Sequence, residues 1–173
     1  MKKLISIMDK ALSLFCISLS GFLVVCVVWQ VFSRYVLNSP STSTDEIARF
    51  LFIWVGLMGA AYTLGKKRHL SIDLLSMKLE QNPRKQAVLK VVIDLVCLFF
   101  ALVILIYGGG TLMMKTLATG QVSPALGLEM GSVYAAIPLS GFFMFIYLIQ
   151  DITANLAVIS QPSKVFPTSK GDS

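Results

Sequence analysis

Charge is scarce in this chain of 173 residues: Asp, Glu, Lys and Arg make up 14% of it, hydrophobic residues 55%, and the mean hydropathy is +0.76. A soluble domain carries about 25% charged residues, so a water-surrounded globule is excluded and a membrane protein is expected. Histidine is nearly absent, and the single His69 cannot supply paired axial ligands to a haem between helices. Cysteine is limited to Cys16, Cys26 and Cys97, all inside apolar runs. None forms a Cys-x-x-Cys pair, which argues against a disulfide framework or a thiol oxidase and leaves them as small packing residues. There is no HExxH, P-loop or Gly-x-Ser-x-Gly motif, and no cluster of acids deep in an apolar run. An enzyme is therefore not expected, nor a resident metal or cofactor.

What is present is apolar length. A membrane helix needs roughly 20 apolar residues, and uncharged runs occur at Ala11–Ser33, Phe50–Gly65, Leu95–Met114 and Met130–Gln150. With their flanks they predict an all-α integral membrane bundle of four transmembrane helices, at about 11–37, 44–65, 88–114 and 131–157, forming one membrane domain over 1–160. The net charge of +6 belongs to membrane topology rather than to nucleic acid. Of the 15 Lys and Arg residues, all but Arg34, Arg49 and Lys115 fall on one side if the N-terminus is cytoplasmic. The positive-inside rule then places both termini in the cytoplasm. The first run is too long for a cleavable signal peptide and lacks a small-residue cleavage site, so it is expected to stay as a span.

Local signals divide the chain further. Asn38, Ser39 and Pro40 read as an outer turn. Ser43 followed by Glu46 has the spacing of a capping box at the start of the second helix. The loop "KKRHLSIDLLSMKLEQNPRKQ" mixes apolar and basic residues and predicts a short helix lying in the cytoplasmic interface, after which Pro83 restarts the chain. Gly108, Gly109 and Gly110 are expected to loosen the third helix or admit a close neighbour. Pro138 is expected to kink the fourth helix, with Gly141 close by. The tail 161–173 is polar and Pro-containing and reads as flexible.

The chain carries no convincing internal repeat and no charge at mid-span, which argues against a complete secondary transporter. A homo-oligomeric four-helix transporter, the competing class, would call for an embedded carboxylate in the first helix, and there is none between Ala11 and Ser33. Asp94, one turn after Lys90, is the nearest candidate for an ion or proton site, set against a neutralised interfacial acid. Arg34 has two readings: it snorkels to lipid phosphate, or it pairs with Asp45, Glu46 or another chain. The stretch Thr44–Trp54, "TDEIARFLFIW", runs two acids and an arginine into an apolar span. Asp45 and Arg49 are spaced to pair on one helix face, and the Trp54 indole N–H would seek an acceptor. Edge charges of this kind are seldom without a use.

The stretch "DEIARFLFIWVGLMGAAYTLGKKRHLSIDLL" closely resembles the signature region of the small membrane subunit of TRAP transporters, the DctQ-like family. Glu46, Arg49, Phe50, Trp54, Gly59, Ala60, Arg68, His69 and Asp73 fill the pattern of that region. A second match, "VSPALGLEMGSVYAAIPLSG", places Ser123, Pro124, Leu126, Tyr134, Pro138 and Gly141 where the family has a Ser-Pro-x-Leu loop leading to Tyr-x-x-x-Pro. The resemblance implies one part of a tripartite system in a bacterial inner membrane, with a large membrane subunit and an extracytoplasmic solute-binding protein as partners. Substrate and sodium sites would lie in the large, elevator-type subunit, which this chain would brace. Organic acids are the implied substrates, C4-dicarboxylates or sialic acids among them, and the likeness leans toward the sialic acid branch. On this basis Asp45, Glu46, Arg49, Arg34 and Trp54 at the outer end, and Lys66, Arg68, His69 and Asp73 at the inner end, are candidate contacts within the chain, to the partner or to lipid. Gly59, Gly108, Gly109, Pro138 and Gly141 are candidate packing or kink positions, and Ser123 with Pro124 a candidate docking loop for the binding protein.

Overall fold

The computed structural model describes residues 2–39, 41–66 and 83–160, with side chains over 5–39, 41–66 and 88–156. The expected interfacial helix, the tail, and Arg68, His69 and Asp73 lie outside the described residues. Helix α1 is Lys2–Tyr35 and α2 is Thr42–Lys66. Helix α3, Pro83–Phe100, continues through a π-helical segment, Ala101–Gly108, into α4, Gly109–Ala118; α5, Met130–Tyr134, is followed by α6, Ala136–Ser160. Among the described residues four spans are long and apolar enough to cross a membrane: Ile5–Tyr35, Thr42–Lys66, Val88–Ala118 and Met130–Leu156. The expected all-helical class holds.

Three local expectations change. The second helix starts at Thr42, and its first turn is closed by the Ser41 carbonyl, which accepts from the Asp45 N–H at 3.3 Å and the Thr44 hydroxyl at 3.0 Å. Glu46 is engaged elsewhere, so the capping box does not form. The glycine triplet loosens the third span only as far as wider helical turns, because Gly108 and Gly109 keep helical angles. Within a membrane a backbone that leaves the helix has no water to satisfy it. The irregularity runs from Ala101 into the triplet at Gly108, where the π-helical turns widen the ladder and the Gly109 N–H reaches the Ile104 carbonyl. The third span ends only at Ala118, before Gly120 turns the chain at φ +60°.

The fourth span does break, at Ala135 rather than at Pro138 itself. A proline has no N–H to give to the carbonyl four residues earlier, and its ring crowds that carbonyl; here that residue is Tyr134. Continuity is kept by the Ala135 N–H to the Gly131 carbonyl at 3.0 Å and the Leu139 N–H to the Ala135 carbonyl at 3.2 Å.

The spans pack in the order first, second, fourth, third. Leu12, Met58, Ala61 and Tyr147 form a buried core joined by Trp54, Tyr62, Phe143 and Met144. In lipid the drive to associate is close packing, which small residues allow. A Cβ on Gly109 would stand 2.5 Å from Ile137 Cγ2 and 3.2 Å from Pro138 Cδ, and one on Gly141 would stand 2.7 Å from Leu105 Cβ. These two glycines seat the third span against the fourth. Among the described residues Gly59 has no neighbour at that distance and Gly108 meets only the Val103 carbonyl at 3.4 Å, so neither is a close approach there. The outward faces of α1 and of the third span stay apolar, with Val24, Val28, Phe99 and Tyr107 among the exposed side chains.

Candidate functional site

Polar chemistry collects at the two ends of the bundle. At the end formed by the 36–41 and 119–129 connections, the connection end, Gln30 Nε2 donates to the Thr44 carbonyl at 2.8 Å and ties α1 to the first turn of α2. The 119–129 connection folds back on itself. Met130 N–H donates to the Gln121 carbonyl at 3.0 Å, and Ser123 N–H to the Leu128 carbonyl at 2.8 Å. The tip is closed by the Gly127 N–H on the Ser123 carbonyl at 2.9 Å, with Gly127 at φ +65°. The sequence Ser-Pro-Ala-Leu-Gly suits this, since proline presets the turn and glycine takes the left-handed position.

This fold turns the tip's donors toward one carboxylate. Glu46 accepts from the Ser123 hydroxyl, from the Ala125 N–H at 3.2 Å and from the Leu126 N–H at 3.2 Å. Ser123 is buried at 2% exposure, so no water replaces that acceptor. The second helix thus holds the third-to-fourth connection by a charge-assisted clamp. Beside it lies an open cavity of about 490 Å³ whose lining includes Arg34, Arg49, Asp45 and Pro124. Among the described residues Arg34 makes no ion pair and contributes only to this lining, while Arg49 Nη2 meets Asp45 Oδ2 at 2.8 Å. Trp54 sits deeper, edge-on to Phe15 with ring centroids 6.1 Å apart, in the interface of α1 and α2.

The Asp45–Arg49 pair has side-chain exposures of 46% and 74%, so screening leaves it about 0.5 kcal/mol or less. Asp45→Ala is therefore expected to leave the melting temperature of the isolated chain nearly unchanged. A large loss of assembly in the same variant would assign these charges to another chain.

At the opposite, terminal end, Tyr147 is fully buried and its hydroxyl donates to Asp9 Oδ1 at 2.6 Å. Lys66 Nζ lies 3.6 Å from Asp9 Oδ2 and 5.9 Å from the centre of the Tyr62 ring. Gly65 makes room, since a Cβ there would touch the Tyr147 ring at 2.8 Å. One contact set thus joins α1, α2 and α6. Asp94 accepts from Asn155 Nδ2 at 3.2 Å, a cross-helix partner that the sequence reading had not paired with it. Asp9, Gly65 and Tyr147 were also missed by sequence reasoning. The available signal was that acids are few, 9 in all, so one beside an apolar run called for a partner. Hydrogen bonds between membrane helices average about 0.6 and reach about 1.7 kcal/mol. Tyr147→Phe is expected to lower stability by about 1 kcal/mol, read as a lower melting temperature in detergent; an unchanged value would remove the hydroxyl from the account.

A four-span helical chain whose described polar clusters lie at its ends, with apolar flanks, has the build of an accessory membrane subunit that packs against larger partners. The comparisons with known proteins give the family. Residues 23–157 match the model of the DctQ component of tripartite ATP-independent periplasmic transporters. A Haemophilus influenzae protein bearing the name of a TRAP transporter small permease is 31% identical over 159 residues, covering 92% of this chain and 96% of its own length. The sialic acid TRAP transporter small permease SiaQ of Vibrio cholerae is 30% identical over 107 residues, 62% of each chain. A stretch of the sialic acid TRAP transporter permease SiaT of Haemophilus influenzae is 28% identical over 132 residues, 75% of this chain but 20% of that longer protein.

The chain belongs to the DctQ family of small TRAP transporter permease subunits. It is a multi-pass membrane protein and not an enzyme. A large permease subunit is its partner, and membership of a tripartite system brings an extracytoplasmic solute-binding protein.

Proposed function

We propose that this chain is the fixed brace of a sodium-driven, binding-protein-dependent importer of organic acids in a bacterial inner membrane, with sialic acid the first substrate to test. Both termini lie in the cytoplasm on the charge distribution, so the connection end faces the periplasm. The observation that carries the reading is the Glu46 clamp on Ser123, Ala125 and Leu126. It fixes an extracytoplasmic loop to a membrane helix, as a landing surface for a binding protein requires. The apolar flanks supply area for the large subunit. Sodium and substrate are bound in that partner, and this chain holds no cofactor. The SiaQ likeness supports the sialic acid choice.

The test is co-purification followed by reconstitution. A tagged chain is expected to bring down a large permease in equal amount. The pair in vesicles is expected to take up N-acetylneuraminate only with its binding protein and an inward sodium gradient. Uptake of a C4-dicarboxylate instead would keep the brace and change the substrate. Recovery of the chain alone or as a homo-oligomer would overturn the reading in favour of a stand-alone transporter.

A further inference from the structure

The cavity at the terminal end is distinct from the clamp and is unused by the reading above. It holds about 500 Å³ between α1 and the end of α2, and its lining divides by chemistry. Lys10, Lys66, Ser6 and Ser13 bring two ammonium groups and two hydroxyls, while Leu14 and Ile17 form an apolar wall further along α1. Ser6, Lys10, Ser13 and Ile17 succeed each other at three- and four-residue steps, so they share one helix face. Lys66 is the last residue of α2 and Lys10 stands immediately before the apolar run of α1. The polar half of the cavity is therefore at the membrane edge and the apolar half within it. Leu14 and Ile17 are 67% and 66% exposed and continue into the apolar outer face of α1.

Charge decides which ligand fits. Asp9 also lines the cavity, but its carboxylate is taken by the Tyr147 hydroxyl and by Lys66. Lys10 and Lys66 against Asp9 leave one positive charge, beside hydroxyls able to donate to phosphate oxygens. A membrane-edge pocket with this sign and an apolar outlet matches a phosphate headgroup carrying an acyl chain.

We propose that this cavity binds the headgroup of one anionic phospholipid, with Lys10, Lys66, Ser6 and Ser13 on the phosphate and an acyl chain along Leu14 and Ile17. A basic residue near an anionic lipid surface contributes about 1 kcal/mol, or about fivefold in affinity.

The experiment is native mass spectrometry of the chain purified with its large permease. The complex is titrated with phosphatidylglycerol or with phosphatidylcholine of the same acyl chains. One phosphatidylglycerol is expected to be retained in preference to phosphatidylcholine. Lys10→Gln is expected to weaken it about fivefold, Lys10→Gln with Lys66→Gln to abolish the preference, and Lys10→Arg to keep it. Asp9→Asn keeps an acceptor for the Tyr147 hydroxyl and removes the opposing charge, so it is expected to tighten phosphatidylglycerol. A purely structural Asp9 would not produce that gain, and the variant remains informative if the double lysine variant fails to assemble. Equal retention of both lipids, no effect of Asp9→Asn, or no adduct because the permease fills the cavity would each overturn the proposal. Displacement of the lipid by millimolar inorganic phosphate would overturn it in favour of a free-anion site. Should no permease co-purify, the same titration on the chain as isolated separates failure of the assembly reading from failure of the lipid site.

Discussion

Glu46→Ala is expected to free the 119–129 connection and to lower the stability of the chain by about 2–4 kcal/mol: the lost bond to the buried Ser123 hydroxyl is worth about 1.5–3 kcal/mol, and the Ala125 N–H, which is exposed and can turn to water, adds little. The loss is large because the donors remain when the acceptor goes. The Ser123 hydroxyl is buried and the Ala125 and Leu126 N–H groups point at the vacated position. Glu46→Gln retains one acceptor oxygen and is expected to lose less, and Ser123→Ala, which removes one donor and leaves the carboxylate its two N–H partners, about 1 kcal/mol. The readouts are the melting temperature in detergent and the rate at which protease cuts the connection. A helix cap would behave differently: its loss costs about 1 kcal/mol and leaves the distant loop untouched. Unchanged proteolysis at the connection in Glu46→Ala would therefore return Glu46 to the role its sequence spacing suggests. If the loop is the landing surface for the binding protein, uptake should fall in the same order as loop protection.

The second large effect is expected at Gly141. A Cβ at this position would meet Leu105 Cβ at 2.7 Å, Ile106 Cγ1 at 3.0 Å and the Ile106 backbone nitrogen at 3.3 Å. The backbone contact cannot be relieved by a side-chain rotation, so Gly141→Leu must drive the third span away from the fourth. Overpacking of this kind costs about 1–3 kcal/mol in a soluble core. Here close contact is itself the main force holding the helices, so about 3 kcal/mol and a partly dissociated third span are expected. The internal comparison is Gly110→Leu, where nothing stands within 4 Å of the added carbon. That variant is expected to leave the isolated chain unaffected, and any loss of assembly it causes would map the large subunit onto this face. Equal stability of Gly141→Leu and Gly110→Leu would refute the seat described here.

Much of this was legible in the sequence because bilayer thickness and charge placement act on local stretches of chain. Apolar length gave the number of spans, the distribution of Lys and Arg gave an expected orientation, and the spacing of Asp45 and Arg49 gave an ion pair that the structure forms. Pro138 announced a break, although steric crowding of the preceding turn moved it to Ala135. The role of Glu46 was not legible. Its spacing from Ser43 satisfies a local rule, and its partners lie 77 to 80 residues away. Local and distant partners compete for the same carboxylate, and three donors from a closed loop outweigh one cap N–H. Asp9 with Tyr147, 138 residues apart, was hidden for the same reason.

By itself the sequence determined that the chain lives in a membrane, crosses it four times and keeps its charges at the edges, because bilayer thickness and the cost of charge within it act on contiguous stretches of chain. Tertiary structure alone decided the packing order of the spans, which glycines are seats and which are bystanders, and that Glu46 holds a loop rather than a helix end. Those outcomes depend on which faces meet, and faces are chosen by close packing and by satisfaction of buried donors across the bundle rather than along the chain.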